Sequence, residues 1–238
     1  IAQPVLTKKT LAEISIKEGG EWKGKEYIGG TFKNVETVTP PAQYTDHSYW
    51  IRYEGPGIES DKVGYRIYLD WRNGFDIFGK KTSNMVLQNV GQDGYDSYHL
   101  NADWGQDVLK VGKSLGMGGF GFWNGKSVDL VSQVESRDAI ITNNGDIYSG
   151  FKINYNGWQI NNQQVDLTAH FSMTAASRLV KVQLKSTDEL PNLAIGLVKH
   201  PGTQLIEGNQ NVSGYAWTYV ASWGKQSLSA INPDGDHL

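Results

Sequence analysis

The chain has 238 residues, 39% hydrophobic, 20% charged and 11% aromatic, with no cysteine and a formal charge of −3. This balance excludes a disordered tail or a coiled coil, and it excludes disulfides, cysteine-ligated zinc and thiol chemistry. No basic run offers a footprint for nucleic acid, and no apolar stretch approaches the ~18 residues of a membrane span.

The 28 glycines, beside only seven prolines, point to many turns joining short strands. In chain order, residues 11–17 alternate as a strand, the glycines at 19–20 break it, and residues 25–32 form the next strand. Residues 48–54 and 63–70 read as neighbouring strands joined by a hairpin-length loop at 55–62. On the first, Trp50, Arg52 and Glu54 share a face; on the second, Tyr65, Ile67 and Leu69 lie opposite Arg66, Tyr68 and Asp70. Residues 103–110 are the best helix candidate, with Asp103 as N-cap. Further strands are expected at 147–155, 165–174, 178–185, 193–198 and 215–220, with a turn at 143–146. There is no three-turn amphipathic helix, repeat or linker, so residues 1–238 read as a single, mostly β domain with few short helices.

Residues 44–104 hold seven Tyr, three Trp and two Phe, twelve of the chain's 27 aromatics. The same stretch carries His47, Arg52, Glu54, Glu59, Arg66, Asp70, Arg72, Asp76, Lys80, Lys81, His99 and Asp103. Buried unpaired charge is expensive, and a solvated face has no use for so many rings. Together they suit a sugar site, where rings stack on C–H faces and charged groups bond hydroxyls and carboxylates. The competing reading is a set of cross-strand Arg–carboxylate bridges. Arg72 has the fork that grips a carboxylate, with Lys80 nearby in sequence. If helical, His99 and Asp103 pair at i, i+4 and orient a general base. Asp93, Asp96, Asp103 and Asp107 suit a hard cation such as a structural calcium, although their spacing is not that of an EF-hand; no other metal and no cofactor is expected. The glycine-rich run at 116–123 lacks the strand–helix context of a phosphate loop.

The run WIRYEGPGIESDKVGYRIYLDWRNGFDIFGK (50–80), continued by GQDGYDSYH (91–99) and ADWGQDVLKVG (102–112), resembles an uncharacterised bacterial domain-of-unknown-function family. That family is secreted or periplasmic and encoded in pectin and uronate polysaccharide-utilisation clusters, and the resemblance extends from about residue 11 to the C-terminus. It implies uronate-glycan processing, an oligosaccharide or polysaccharide ligand, and a periplasmic or secreted location, without assigning catalytic residues. Members extend further at both ends, so a chain trimmed at both ends is expected. The chain opens at Ile1 without an initiator Met or a leader pattern, so any signal peptide is expected to have been removed already. The expected fold is a large antiparallel β-sandwich like the supersandwich of galactose mutarotases and several polysaccharide lyases.

The expected activity is β-elimination on uronic-acid oligosaccharides. It needs a cation on the C6 carboxylate, a base near neutral pKa and a proton donor for the leaving oxygen. Arg52, Arg66 and Arg72 are the candidates for the carboxylate, His99 or His47 for the base, and Tyr98 or Tyr53 for the acid. Glu54, Glu59, Lys80, Trp50, Trp71 and Trp104 complete the expected binding surface. Hydrolysis would use two carboxylates among Glu54, Glu59, Asp70 and Asp103 at ~5–9.5 Å. A mutarotase-like isomerase or a non-catalytic binder would use the same strip.

Overall fold

The computed structural model describes residues 7–94 and 97–224. Two five-stranded antiparallel sheets form a sandwich. The first runs β1 (Thr10–Glu13), β5 (Gly57–Ser60), β6 (Val63–Ile67), β7 (Phe75–Lys80), β8 (Gly105–Asp107). The second runs β14 (Val180–Ser186), β13 (Gln163–Thr174), β12 (Tyr148–Ile160), β11 (Ser136–Asn144), β4 (Thr37–Val38). A smaller sheet, β10 (Val128–Leu130), β9 (Met117–Trp123), β15 (Leu193–Leu197), extends the same core, and two hairpins project from it. These are β2 (Ser15–Lys23) with β3 (Glu26–Asn34), and β16 (Gln204–Val212) with β17 (Tyr215–Trp223). Among the described residues no α-helix forms, only three single 3₁₀ turns, and no helix is long and apolar enough to cross a membrane.

The expected mostly β sandwich is therefore the observed one. Its core lies where alternation puts it: Tyr65, Ile67 and Phe75 of the first sheet meet Phe151, Ile153, Ala169 and Phe171 of the second. Phe75 and Phe171 pack edge to face at 5.9 Å, and Phe151 stacks on Phe171 at 4.8 Å.

Three local expectations fail. Gly19 and Gly20 do not end a strand; β2 runs through them to Lys23, with Gly19 at φ 79°. Residues 103–110 are not helical: Gly105 at φ 131° opens β8, and a Cβ there would sit 1.8 Å from the Gly79 carbonyl. Residues 48–54 are not a strand, because His47, Tyr49, Tyr53 and Glu54 all take left-handed φ, between 39° and 70°. The hairpin lies one step later, β5 pairing with β6.

Candidate functional site

The alternation that sends Tyr65 and Ile67 into the sandwich sends Arg66 to the other face of the first sheet. Asp76 stands directly across from Arg66 on β7, and Glu13, Glu59, Lys80 and Asp107 also hydrogen-bond on this side of the sheet. This face is buried rather than open, with Arg52, Tyr53, Leu87, Val90 and Tyr98 packed over it. Leu11, Tyr53, Phe78, Leu87, Val90 and Tyr98 form a second apolar cluster there.

Charge buried there is paired. Arg66 donates through Nε and Nη2 to Asp76 Oδ2 at 2.9 and 2.7 Å, through Nη2 to Asp107 Oδ2 at 2.7 Å, and through Nη1 to the Tyr98 hydroxyl at 2.9 Å. The Tyr68 hydroxyl donates to Asp76 Oδ2 at 2.6 Å. Arg72 binds Asp70 through Nε and Nη2 and reaches Glu54 Oε1 at 2.9 Å. Arg52 holds Glu13 and three backbone carbonyls, of Leu87, Gln88 and Val90. Lys80 and Glu59 close on each other at 2.6 Å with both side chains fully buried. The bridge reading of these residues describes the geometry, and none of the three arginines lines the open cleft described next.

That cleft, of about 610 Å³, lies between the β2–β3 hairpin, the loop 49–54 and residues 91–94 and 97–100. Backbone bonds from Lys17 to Trp50 and from Tyr27 to Ser48 tie the hairpin to the loop. Its aromatic walls are Tyr27, Phe32, Tyr49, Tyr53 and Tyr98, and its charged side chains are Lys17, Glu26, Glu54 and Asp93. Left-handed backbone at ordinary residues costs about 1–3 kcal/mol each. Three of the cleft residues, Tyr49, Tyr53 and Glu54, carry it. Surrounding bonds hold them: Tyr44 Oη donates to the Glu54 carbonyl at 2.9 Å, and so does the Leu69 N–H. Strain of this kind collects at functional sites.

Electrostatics sort the cleft's groups. Burial alone would raise the Glu54 carboxyl, but Arg72, Arg66 and the His47 N–H hold it below the usual carboxylate range. Burial pushes the Tyr53 and Tyr98 phenols well above their ordinary value, so both stay protonated.

Of the sequence-derived site residues, Tyr53, Glu54 and Tyr98 reach the cleft. His99 is buried behind Tyr98, ring to ring at 4.5 Å, with Nε2 3.5 Å from Asp107 Oδ2. The 3₁₀ turn stops at His99, so no helix carries it to the i, i+4 pairing expected with Asp103, which is exposed. His47 is half-exposed, Nδ1 3.3 Å from Asp46 Oδ2. Trp50 packs on Trp22 and Tyr44, Trp71 donates to Asp46, and Trp104 lies edge-on to Phe78. For the calcium expectation, Asp96 lies outside the described residues, Asp107 is bonded to Arg66, and no three His, Asp or Glu among the described residues come together as metal ligands. Lys17, Glu26, Tyr27 and Phe32 are cleft residues the sequence reading missed. The signal was the alternation of β2 and β3, which places Lys17, Phe32 and Tyr27 on a hairpin with few buried residues.

A family model, Domain of unknown function (DUF4861), matches residues 1–235, and the chain belongs to that family. No curated protein and no solved structure matches it.

Proposed function

We propose that this DUF4861 member is a carbohydrate-active protein, periplasmic or secreted, whose cleft takes uronic-acid-containing oligosaccharides such as those of pectin, with β-elimination as its chemistry. The observation carrying the reading is the convergence of aromatic walls with Lys17 and three carboxylates on one cleft floored by strained backbone. Rings supply stacking surface for sugar C–H faces, and the polar groups fix orientation. In the elimination, Lys17 neutralises the C6 carboxylate, which acidifies C5–H. Tyr98 gives its proton to the leaving oxygen, and the phenolate so formed rests 2.9 Å from Arg66 Nη1. C5–H needs a base within hydrogen-bond reach; the expected base, His99, is packed directly behind Tyr98 and does not line the cleft, which counts against the elimination.

A second reading, a binding protein without turnover, is favoured by one observation. Three groups that line the cleft are moved away from neutrality, Glu54 held low and Tyr53 and Tyr98 pushed high, whereas a general base works best near the operating pH. Incubation with uronate oligosaccharides, followed at 235 nm and by calorimetry, separates the two. Absorbance growth lost in His99→Gln supports the elimination. Binding without absorbance supports the binder, and neither signal removes the carbohydrate reading.

A further inference from the structure

Glu54 has one oxygen in use and one left over. Oε1 accepts from Arg72 Nη2 at 2.9 Å and from the His47 backbone N–H at 3.1 Å. Oε2 is buried and makes no hydrogen bond among the described residues; Arg66 Nη1 is 3.9 Å away, beyond hydrogen-bond reach. A buried carboxylate oxygen without a donor is costly, and this one belongs to a cleft-lining side chain that is 5% exposed, on backbone at φ 70°.

The charges around the cleft limit what can supply the donor. Among the described lining residues Lys17 is the one cation, against Glu26, Glu54 and Asp93. The arginines behind the wall are already committed to carboxylates: Arg52 to Glu13, Arg66 to Asp76 and Asp107, Arg72 to Asp70 and Glu54. A uronate homopolymer would bring a carboxylate on every ring into a cleft with one ammonium. Uronate and neutral rings alike carry hydroxyls that can donate to Oε2, so the charge count decides between them.

We propose that the cleft takes a mixed oligosaccharide, in which one uronate held at Lys17 is joined to neutral sugars and a hydroxyl of a neutral ring donates to Glu54 Oε2. The inference rests on the carbohydrate reading above and deepens it from uronate glycans in general to chains in which uronates are spaced by neutral rings. Arg72 and Arg66 keep Glu54 ionised, so Oε2 is an acceptor across the physiological range. Stacking on Tyr27 or Tyr49 would set a neutral ring beside it without adding charge.

The test is titration calorimetry of the full chain with three tetrasaccharides: xylotriose bearing one glucuronate, tetragalacturonate and neutral xylotetraose. The mixed probe should bind at least about tenfold tighter than xylotetraose, which lacks the carboxylate for Lys17, and tighter than tetragalacturonate, whose further carboxylates meet Glu26, Glu54 and Asp93. Glu54→Gln should weaken the mixed probe about tenfold or more and strengthen tetragalacturonate, so the ranking narrows or reverses. Lys17→Met, at a half-buried hairpin position, should bring the mixed probe down to the level of xylotetraose. Tightest binding of tetragalacturonate by the parent chain overturns this inference and leaves the carbohydrate reading standing. Silence towards all three sugars overturns both. If Glu54→Gln does not fold, the three-probe ranking and Lys17→Met decide; a mixed probe that ignores the Lys17 change counts against the proposal.

Discussion

The hydroxyl oxygen of Tyr98 accepts a hydrogen bond from Nη1 of Arg66 at 2.9 Å. The Tyr98 side chain lines the cleft while Arg66 does not, so this contact joins an open cleft to a network of buried charge. Two guanidinium groups, Arg66 and Arg72, face four carboxylates there: Glu54, Asp70, Asp76 and Asp107. Excess negative charge in a poorly solvated place is relieved by taking up protons. Burial first, and then the charge of Asp76, push the Asp107 carboxyl well above its ordinary value. Burial raises Asp70 as well.

Tyr98→Phe keeps the ring that forms the cleft wall and removes the acceptor of Arg66 Nη1. Among the described residues, the remaining hydrogen bond of that nitrogen, to the Tyr53 carbonyl, is long at 3.4 Å. The variant should lose about 1–3 kcal/mol in urea unfolding, the cost of a hydrogen bond to a charged group. If the cleft eliminates, 235 nm turnover should fall ~10²–10⁴-fold with the acid gone. Unchanged stability would place Arg66 Nη1 on another partner.

Asp107 makes a signed prediction about pH. Its folded pKa is raised, so the folded state binds more protons than the unfolded state between the unfolded value of ~3.9 and the folded one, and stability falls as pH rises through that window. The groups facing it are Arg66, Asp76, His99 and Glu54. Asp107→Asn imitates the protonated form, so its urea midpoint should change less than that of the parent chain as pH rises above ~4. Parallel curves for the two proteins would mean that Asp107 is ionised in the folded state.

The sequence made the faces of β6 legible. Tyr65, Ile67 and Leu69 are core residues, and Arg66 and Tyr68 share a polar network as alternation requires. What alternation cannot report is whether a face meets water or another layer of chain. The charge in 44–104 suits a sugar site because unpaired buried charge is costly; these charges are buried and paired, as the competing bridge reading has it. Arg52, Tyr53 and Glu54 looked like a strand because their spacing alternates. The left-handed backbone of Tyr53 and Glu54 is held by contacts from distant segments, Arg52 to Leu87 and Val90 and Glu54 to Leu69, which no local pattern encodes. The hairpin residues Lys17 and Phe32 were missed for a related reason. They meet Glu54 and Tyr98 only after β2 bonds to the loop at Trp50.

Gly57 tests how tightly the cleft floor is packed. A Cβ there would lie 2.4 Å from the Tyr53 hydroxyl, which donates to Glu13 Oε1 at 2.6 Å. Gly57→Ala must push the Tyr53 ring aside and weaken that bond, at a cost of about 1–3 kcal/mol for overpacking. Sugar affinity by calorimetry should fall with it, since Tyr53 lines the cleft. A variant with the parent's melting temperature and affinity would show that the ring has room to move.

Arg72→Lys conserves charge and loses a fork. The guanidinium holds Asp70 through Nε and Nη2 and reaches Glu54 Oε1 from the same Nη2; a single ammonium on a flexible stem cannot reproduce that geometry. Stability at pH 7 should drop by about 1–3 kcal/mol, part of the penalty for unpairing buried charge. The pH dependence separates this from ordinary loss of packing. Glu54 has a depressed folded pKa, so its contribution is present above the unfolded value of ~4.3 and is lost as pH falls through the folded one. With Arg72 replaced, the folded pKa of Glu54 moves back up and that contribution shrinks. Urea midpoints measured from pH 3 to 7 should therefore show the widest gap between parent and variant near neutrality, closing below ~4.3. Sugar affinity should fall over the same range, because Arg72 fixes Glu54, whose Oε2 is the acceptor proposed for the sugar hydroxyl. A constant gap across pH, with affinity intact, would assign Arg72 to packing against Tyr68, whose ring it covers at 4.0 Å.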